Sequence, residues 1–143
     1  EVVDEMREEG VAIGCVSICS FRPFPLAALR EVLEHAQRVV VLEKCLAVGL
    51  GGIVSNNVAA SFAGPPDLVH TVVAGLGGRA ITRKSLHKVF AEAAAGRLDP
   101  VTFLDLDYAM VDRVLTRERE QRRTGPIAEA ILREIGVVAA KIG

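Results

Sequence analysis

Short apolar runs alternate along this chain with stretches whose apolar residues recur every three or four positions, and this switch of period is what most narrows the possible folds. A run bounded by turn residues reads as a buried strand. The stretch after it, with a single apolar stripe, reads as a covering helix. Residues 11–18 (VAIGCVSI), 39–42 (VVVL), 68–74 (LVHTVVA) and 102–106 (TFLDL) are the strand candidates. The first three are apolar enough to be buried on both faces, as parallel strands between helix layers must be.

Residues 1–9 read as helix. Leu26, Leu29, Leu33 and Ala36 stripe a helix that opens after Pro25, and Val54, Val58 and Phe62 stripe another. Leu86, Val89, Phe90 and Ala93 stripe a fourth, with Thr82 in N-cap position and Gly96 near its end. The pattern predicts an α/β fold, a three-layer α/β/α arrangement around a mostly parallel open sheet. The period changes after Asp107. Met110, Val111, Val114 and Leu115 begin a helix that passes into the charge run 117–123, a solvated face. Beyond Thr124-Gly125-Pro126, Ile127, Ile131 and Ile135 stripe one more helix. Residues 1–107 are therefore expected to form the α/β domain, and 108–143 a helical C-terminal extension packing on that domain or on a partner subunit.

Seventeen basic against 18 acidic residues leave a net charge of −1, so no global field favours nucleic acid or an anionic membrane. Charged residues interrupt every apolar stretch before it reaches the length of a bilayer span, and a soluble, cytoplasmic protein is expected. The chain begins at Glu1 rather than Met, already in helical pattern, which reads as an excised piece of a larger protein. Cys15, Cys19 and Cys45 form neither an even disulfide set nor a C-x-x-C pair, and are expected as buried, reduced thiols.

Two glycine-rich loops follow strand candidates, Gly49-Leu50-Gly51-Gly52 and Gly75-Leu76-Gly77-Gly78-Arg79. They lie at carboxyl ends of strands, the edge where open α/β sheets bind ligands. Neither completes the G-x-G-x-x-G or G-K-[ST] spacing of a nucleotide loop, so backbone geometry and anion binding both stay open. Arg79 either closes an anion site or bridges to a neighbouring domain. Glu43 and Lys44 are adjacent on a strand and so point to opposite faces. The favoured role for Glu43 is to accept N–H bonds from the helix start at Gly51-Gly52. His35, His70 and His87 have no i, i+4 pairing for a metal, and no serine sits in a G-x-S-x-G elbow, so no catalytic residue is nominated.

Phe21-Arg22-Pro23-Phe24-Pro25, then Val41-Leu42-Glu43-Lys44 with Gly49-Leu50-Gly51-Gly52, then Ala74-Gly75-Leu76-Gly77-Gly78-Arg79, together resemble one family in order and spacing. They are similar to the C-terminal, transketolase C-terminal-like domain of the alpha subunit of pyruvate synthase, a 2-oxoacid:ferredoxin oxidoreductase. The resemblance covers roughly residues 1–107. It implies a parent enzyme that uses thiamine diphosphate with Mg, passes electrons through iron–sulfur clusters to ferredoxin, and forms acyl-CoA. It implies that those cofactors sit on other domains or subunits, with none bound by this domain, which alone is expected to be inactive. The partners implied are the other subunits, with ferredoxin reached through an oligomeric holoenzyme.

On this reading the domain is a non-catalytic assembly element, with Arg22, Glu43, Gly51, Gly52, Gly77, Gly78 and Arg79 as candidate interface or anion-binding residues. The alternative is a module that holds the phosphates of coenzyme A in its two glycine loops. The family domain also begins with a strand ahead of residues 1–9 that is absent here. The fragment is therefore expected to self-associate or to be marginally stable.

Overall fold

The computed structural model describes residues 1–121, which fall in two units, Glu1–Leu106 and the segment from Asp107 onward. In the first unit α1 (Val2–Glu8), α2 (Leu26–Val32), β1 (Val39–Glu43), α3 (Ile53–Ser61), β2 (Val69–Val73), α4 (Arg83–Ala94) and β3 (Val101–Phe103) follow in order. The strands form one parallel sheet in the order β1-β2-β3, with Val39 opposite Val69 and Thr71 opposite Val101. The fold is α/β in three layers.

Strand alternation divides the core in two. On one face Val41 and Val69 close with Val58 of α3 into a cluster joined by Ile18, Phe24, Leu33 and Phe62, and α2 packs on α3. On the other face lies Val72, which has no exposed surface, while α1 and α4 pack on one another and bury Val2, Met6, Val89 and Ala93. All five residues of β2 are buried, which is what a central strand covered on both sides requires.

The helix ends follow the sequence. Thr82 caps α4, its hydroxyl accepting from the Ser85 amide at 3.1 Å, and Gly96 follows the helix at a φ of +71°. Arg83 of α4 pairs with Glu1 and Glu5, and His87 with Glu9, fastening α4 to α1. In the second unit Asp107 caps α5 (Tyr108–Gln121), accepting from the Met110 amide at 2.9 Å. The helix expected around Ile127, Ile131 and Ile135 lies outside the described residues.

Two expectations are corrected. Residues 11–18 are extended but form no strand, because no ladder partner lies beside them; their only backbone pairing is Val11 N–H to Met6 at 2.9 Å. The apolar run states what could be buried, whereas a strand also needs a neighbour for its N–H and C=O groups. Loss of that burial also exposes Cys15 and Cys19, and Cys45 is exposed in the loop after β1, so the three thiols are not core residues. β1 is likewise not covered on both faces throughout, since Leu42 is 41 % exposed.

Candidate functional site

The carboxyl ends of β1 and β2 gather most of the residues singled out from the sequence. Glu43 ends β1, and its side chain turns back into the protein. One carboxylate oxygen accepts from the Val54 amide at 2.9 Å and the other from the Ser55 amide at 3.0 Å. These are amides of the first turn of α3, left open because the N-cap position is Gly52, which has no side chain to cap with. Glu43 thus caps a helix from eleven residues upstream, with its charge against the positive end of the helix dipole.

The cap explains Gly52. A Cβ there would overlap the Glu43 carboxylate and the Ser55 hydroxyl, so the glycine is required by close approach, while Gly51 is required by its φ of +83°. The loop between is closed by paired bonds of Ala47 and Gly51, each 2.8 Å. Ser55 accepts from the Thr71 hydroxyl at 2.8 Å, linking the cap to β2. Glu43, Ser55 and Thr71 are all buried, and each is hydrogen-bonded.

The second glycine loop leaves β2 through Gly75, Gly77 and Gly78, all at positive φ. Arg79 then donates from Nη1 to the main-chain oxygen of Asp105, beyond β3. Asp105 stands in the left-handed region at a φ of +55°, and its carboxylate accepts from the Ser85 hydroxyl at 2.6 Å. Neither Asp105 nor Ser85 was singled out from the sequence. A left-handed aspartate leaves no periodicity, and its partners are distant in sequence.

Leu42, Lys44, Gly75, Gly78, Arg79 and Ile81 line an open cleft of about 440 Å³ at the carboxyl ends of β1 and β2, bordered by the second glycine loop and not by Gly49–Gly52. Glu43 also borders it, with both carboxylate oxygens engaged by α3. Exposed apolar side chains surround this edge: Leu42, Val48, Leu50, Ile53, Leu76 and Ile81. Arg22 is not among the cleft-lining residues. Its guanidinium stacks 4.2 Å from the Phe21 ring centre and donates to the Phe21 carbonyl at 2.8 Å.

Among the described residues no three His, Cys, Asp or Glu side chains converge as a metal site, and no helix is long and apolar enough to cross a membrane. Of the histidines, only His70 is buried. It meets the main-chain oxygen of Asp99 through Nδ1 at 3.2 Å, while its Nε2 has no partner. It is thus a half-satisfied core residue rather than a fully satisfied one.

Comparison with known proteins places the same residues in context. Residues 1–86 match the family model described as pyruvate:ferredoxin oxidoreductase core domain II. The chain is 38 % identical over 100 residues to the pyruvate synthase subunit PorA of Thermotoga maritima, covering 68 % of this chain and 25 % of that subunit. It is 32 % identical over 118 residues to PorA of Pyrococcus furiosus, covering 78 % of this chain and 30 % of the relative. The ketoisovalerate oxidoreductase subunit VorA of Pyrococcus horikoshii is 31 % identical over 106 residues, covering 69 % of this chain and 27 % of the relative. The aligned region spans between a quarter and a third of the length of these relatives.

Proposed function

The chain belongs to the pyruvate:ferredoxin oxidoreductase core domain II family, and from that premise we propose that it is a non-catalytic assembly domain of a thiamine diphosphate-dependent 2-oxoacid:ferredoxin oxidoreductase. The holoenzyme converts a 2-oxoacid and CoA to acyl-CoA and CO2 and passes the electrons to ferredoxin. This domain holds neighbouring domains and subunits in place. One observation carries the reading: Leu42, Val48, Leu50, Ile53, Leu76 and Ile81 are exposed around a single edge of the sheet. Apolar side chains gathered in that way mark a surface that another protein surface covers.

The polar groups at the same edge support the assignment. Glu43 is committed to the amides of α3 and Arg79 to Asp105, so both act as braces. Thiamine diphosphate with Mg, and the iron–sulfur clusters, belong on this reading to other domains or subunits. For the clusters, the cysteines give no ligand set: Cys15, Cys19 and Cys45 are exposed outside any group of three metal-binding side chains among the described residues.

Leu50→Lys and Leu76→Lys in the holoenzyme test this. Both are expected to release the subunit on size exclusion and to reduce 2-oxoacid oxidation in proportion, with the circular dichroism of the chain unchanged. Full assembly in both variants overturns the proposal.

Lys44 and Arg79 beside the glycine loop favour a second reading, an anion site for the phosphates of coenzyme A. Against it, Arg79 already donates to Asp105, whose carboxylate is held close by through Ser85. Calorimetric titration of coenzyme A into the chain and into Arg79→Ala separates the two. Saturable binding that the variant loses favours the anion site, and no heat favours assembly.

A further inference from the structure

Val41 and Glu43 of β1 both meet α3, one through Val58 and the other through the helix amides, so strand alternation turns Leu42 to the opposite face. There Leu42 is one apolar wall of the cleft at the carboxyl ends of β1 and β2, and Ile81 is another. Between them Gly75 contributes backbone only. The Cδ1 of Ile81 and the Cε of Lys44 each lie 3.6 Å from the point that a Gly75 Cβ would occupy, so the two side chains flank the same glycine. Lys44 is exposed, and its ammonium stands among apolar neighbours.

Charge in this cleft is one-sided. Glu43 borders it with both carboxylate oxygens accepting from the amides of α3. Arg79 donates to a main-chain oxygen, that of Asp105, and the Asp105 carboxylate accepts from Ser85. Lys44 has neither a hydrogen bond nor an ion pair among the described residues. While the edge faces water, the solvent meets that charge. Once another surface covers Leu42 and Ile81, the ammonium between them loses its water, and a charge buried without a partner is strongly unfavourable. A wholly apolar cover therefore does not fit this edge.

We infer that the protein surface covering this edge brings an aspartate or glutamate side chain into the cleft, where its carboxylate pairs with the Lys44 ammonium. The inference rests on the assembly reading above and names the chemistry of the partner: one acidic side chain in an apolar surround, packed against Leu42 and Ile81. Arg79, fastened to Asp105, holds the loop in place and adds positive potential beside the pair. The apolar walls favour a protein carboxylate over a phosphate of coenzyme A, whose oxygens would leave water against Leu42 and Ile81 with one unbonded cation to meet them.

Carbodiimide coupling of the intact holoenzyme, read by mass spectrometry, tests the pair without relying on activity, because it joins a lysine directly to a carboxylate in contact with it. An amide is expected between Lys44 and an aspartate or glutamate outside residues 1–143. Lys44→Arg keeps the charge and is expected to assemble fully and to lose this amide. Lys44→Glu sets like charges together and is expected to lower the amount of assembled holoenzyme on the order of tenfold. Exchanging the coupled acid for lysine in the same protein is expected to restore it, which a loss of fold would not allow. Lys44 left uncoupled in the assembled holoenzyme, or coupled to an acid within residues 1–143, overturns the pair. The assembly reading still stands in that case if Leu50→Lys and Leu76→Lys release the subunit. Coupling that coenzyme A suppresses as it saturates assigns the cleft to phosphate and also overturns the pair.

Discussion

Glu43 shows how one side chain can serve as a local fold determinant. Its carboxylate supplies the cap that Gly52 cannot, and Gly52 in turn leaves the space the carboxylate occupies. Gly52→Ala therefore forces the carboxylate out and opens two amides, at a cost on the order of 2–4 kcal/mol in urea unfolding. Glu43→Gln replaces one acceptor by a donor facing an amide and is expected to cost about 1–3 kcal/mol. A Gly52→Ala midpoint equal to that of the parent chain removes this account of the loop. Glu43 and its glycines were legible in the sequence, because a strand-end acid followed by a glycine helix start is a local pattern. The partner of Arg79 was not, since Asp105 is 26 residues away and joined to it only through the sheet.

At the level of elements, the helices with one clear stripe and a recognisable start came through closely: Pro25 stands before α2, and Thr82 caps α4. The end of α4 carries a pH signature. Arg97 binds Glu92 with two bonds, at 2.9 and 3.0 Å, and these hold the Glu92 carboxyl below its ordinary range. A folded value below the unfolded one means that the pair's contribution is present above the ordinary glutamate pKa and is lost as pH falls through the folded value. The pair is exposed, so its effect on stability is small, and the direct readout is a carbon-detected NMR titration of Glu92. Arg97→Gln is expected to raise the Glu92 titration to the usual glutamate range, and an unchanged titration contradicts the pairing. The strands were less legible. Residues 39–42 and 68–74 became β1 and β2 with small shifts at their ends, and 102–106 became the shorter β3.

For the molecule as a whole, the assembly reading rests on the apolar side chains exposed around one edge of the sheet. Leu50→Lys and Leu76→Lys act on this edge, and the fraction of subunit retained in the holoenzyme on size exclusion measures its contribution to assembly.

The sequence by itself determined the class of fold, the order of helices and strands, and the family, because hydrophobic period, caps and glycine-containing motifs are properties of neighbouring residues. Tertiary structure alone decided whether residues 11–18 became a strand, whether the three cysteines were buried, and what Arg79 would hold. Each of those outcomes depends on a second segment being present at the right distance. A run of apolar residues records its own preference for burial, and carries no record of whether a partner lies beside it.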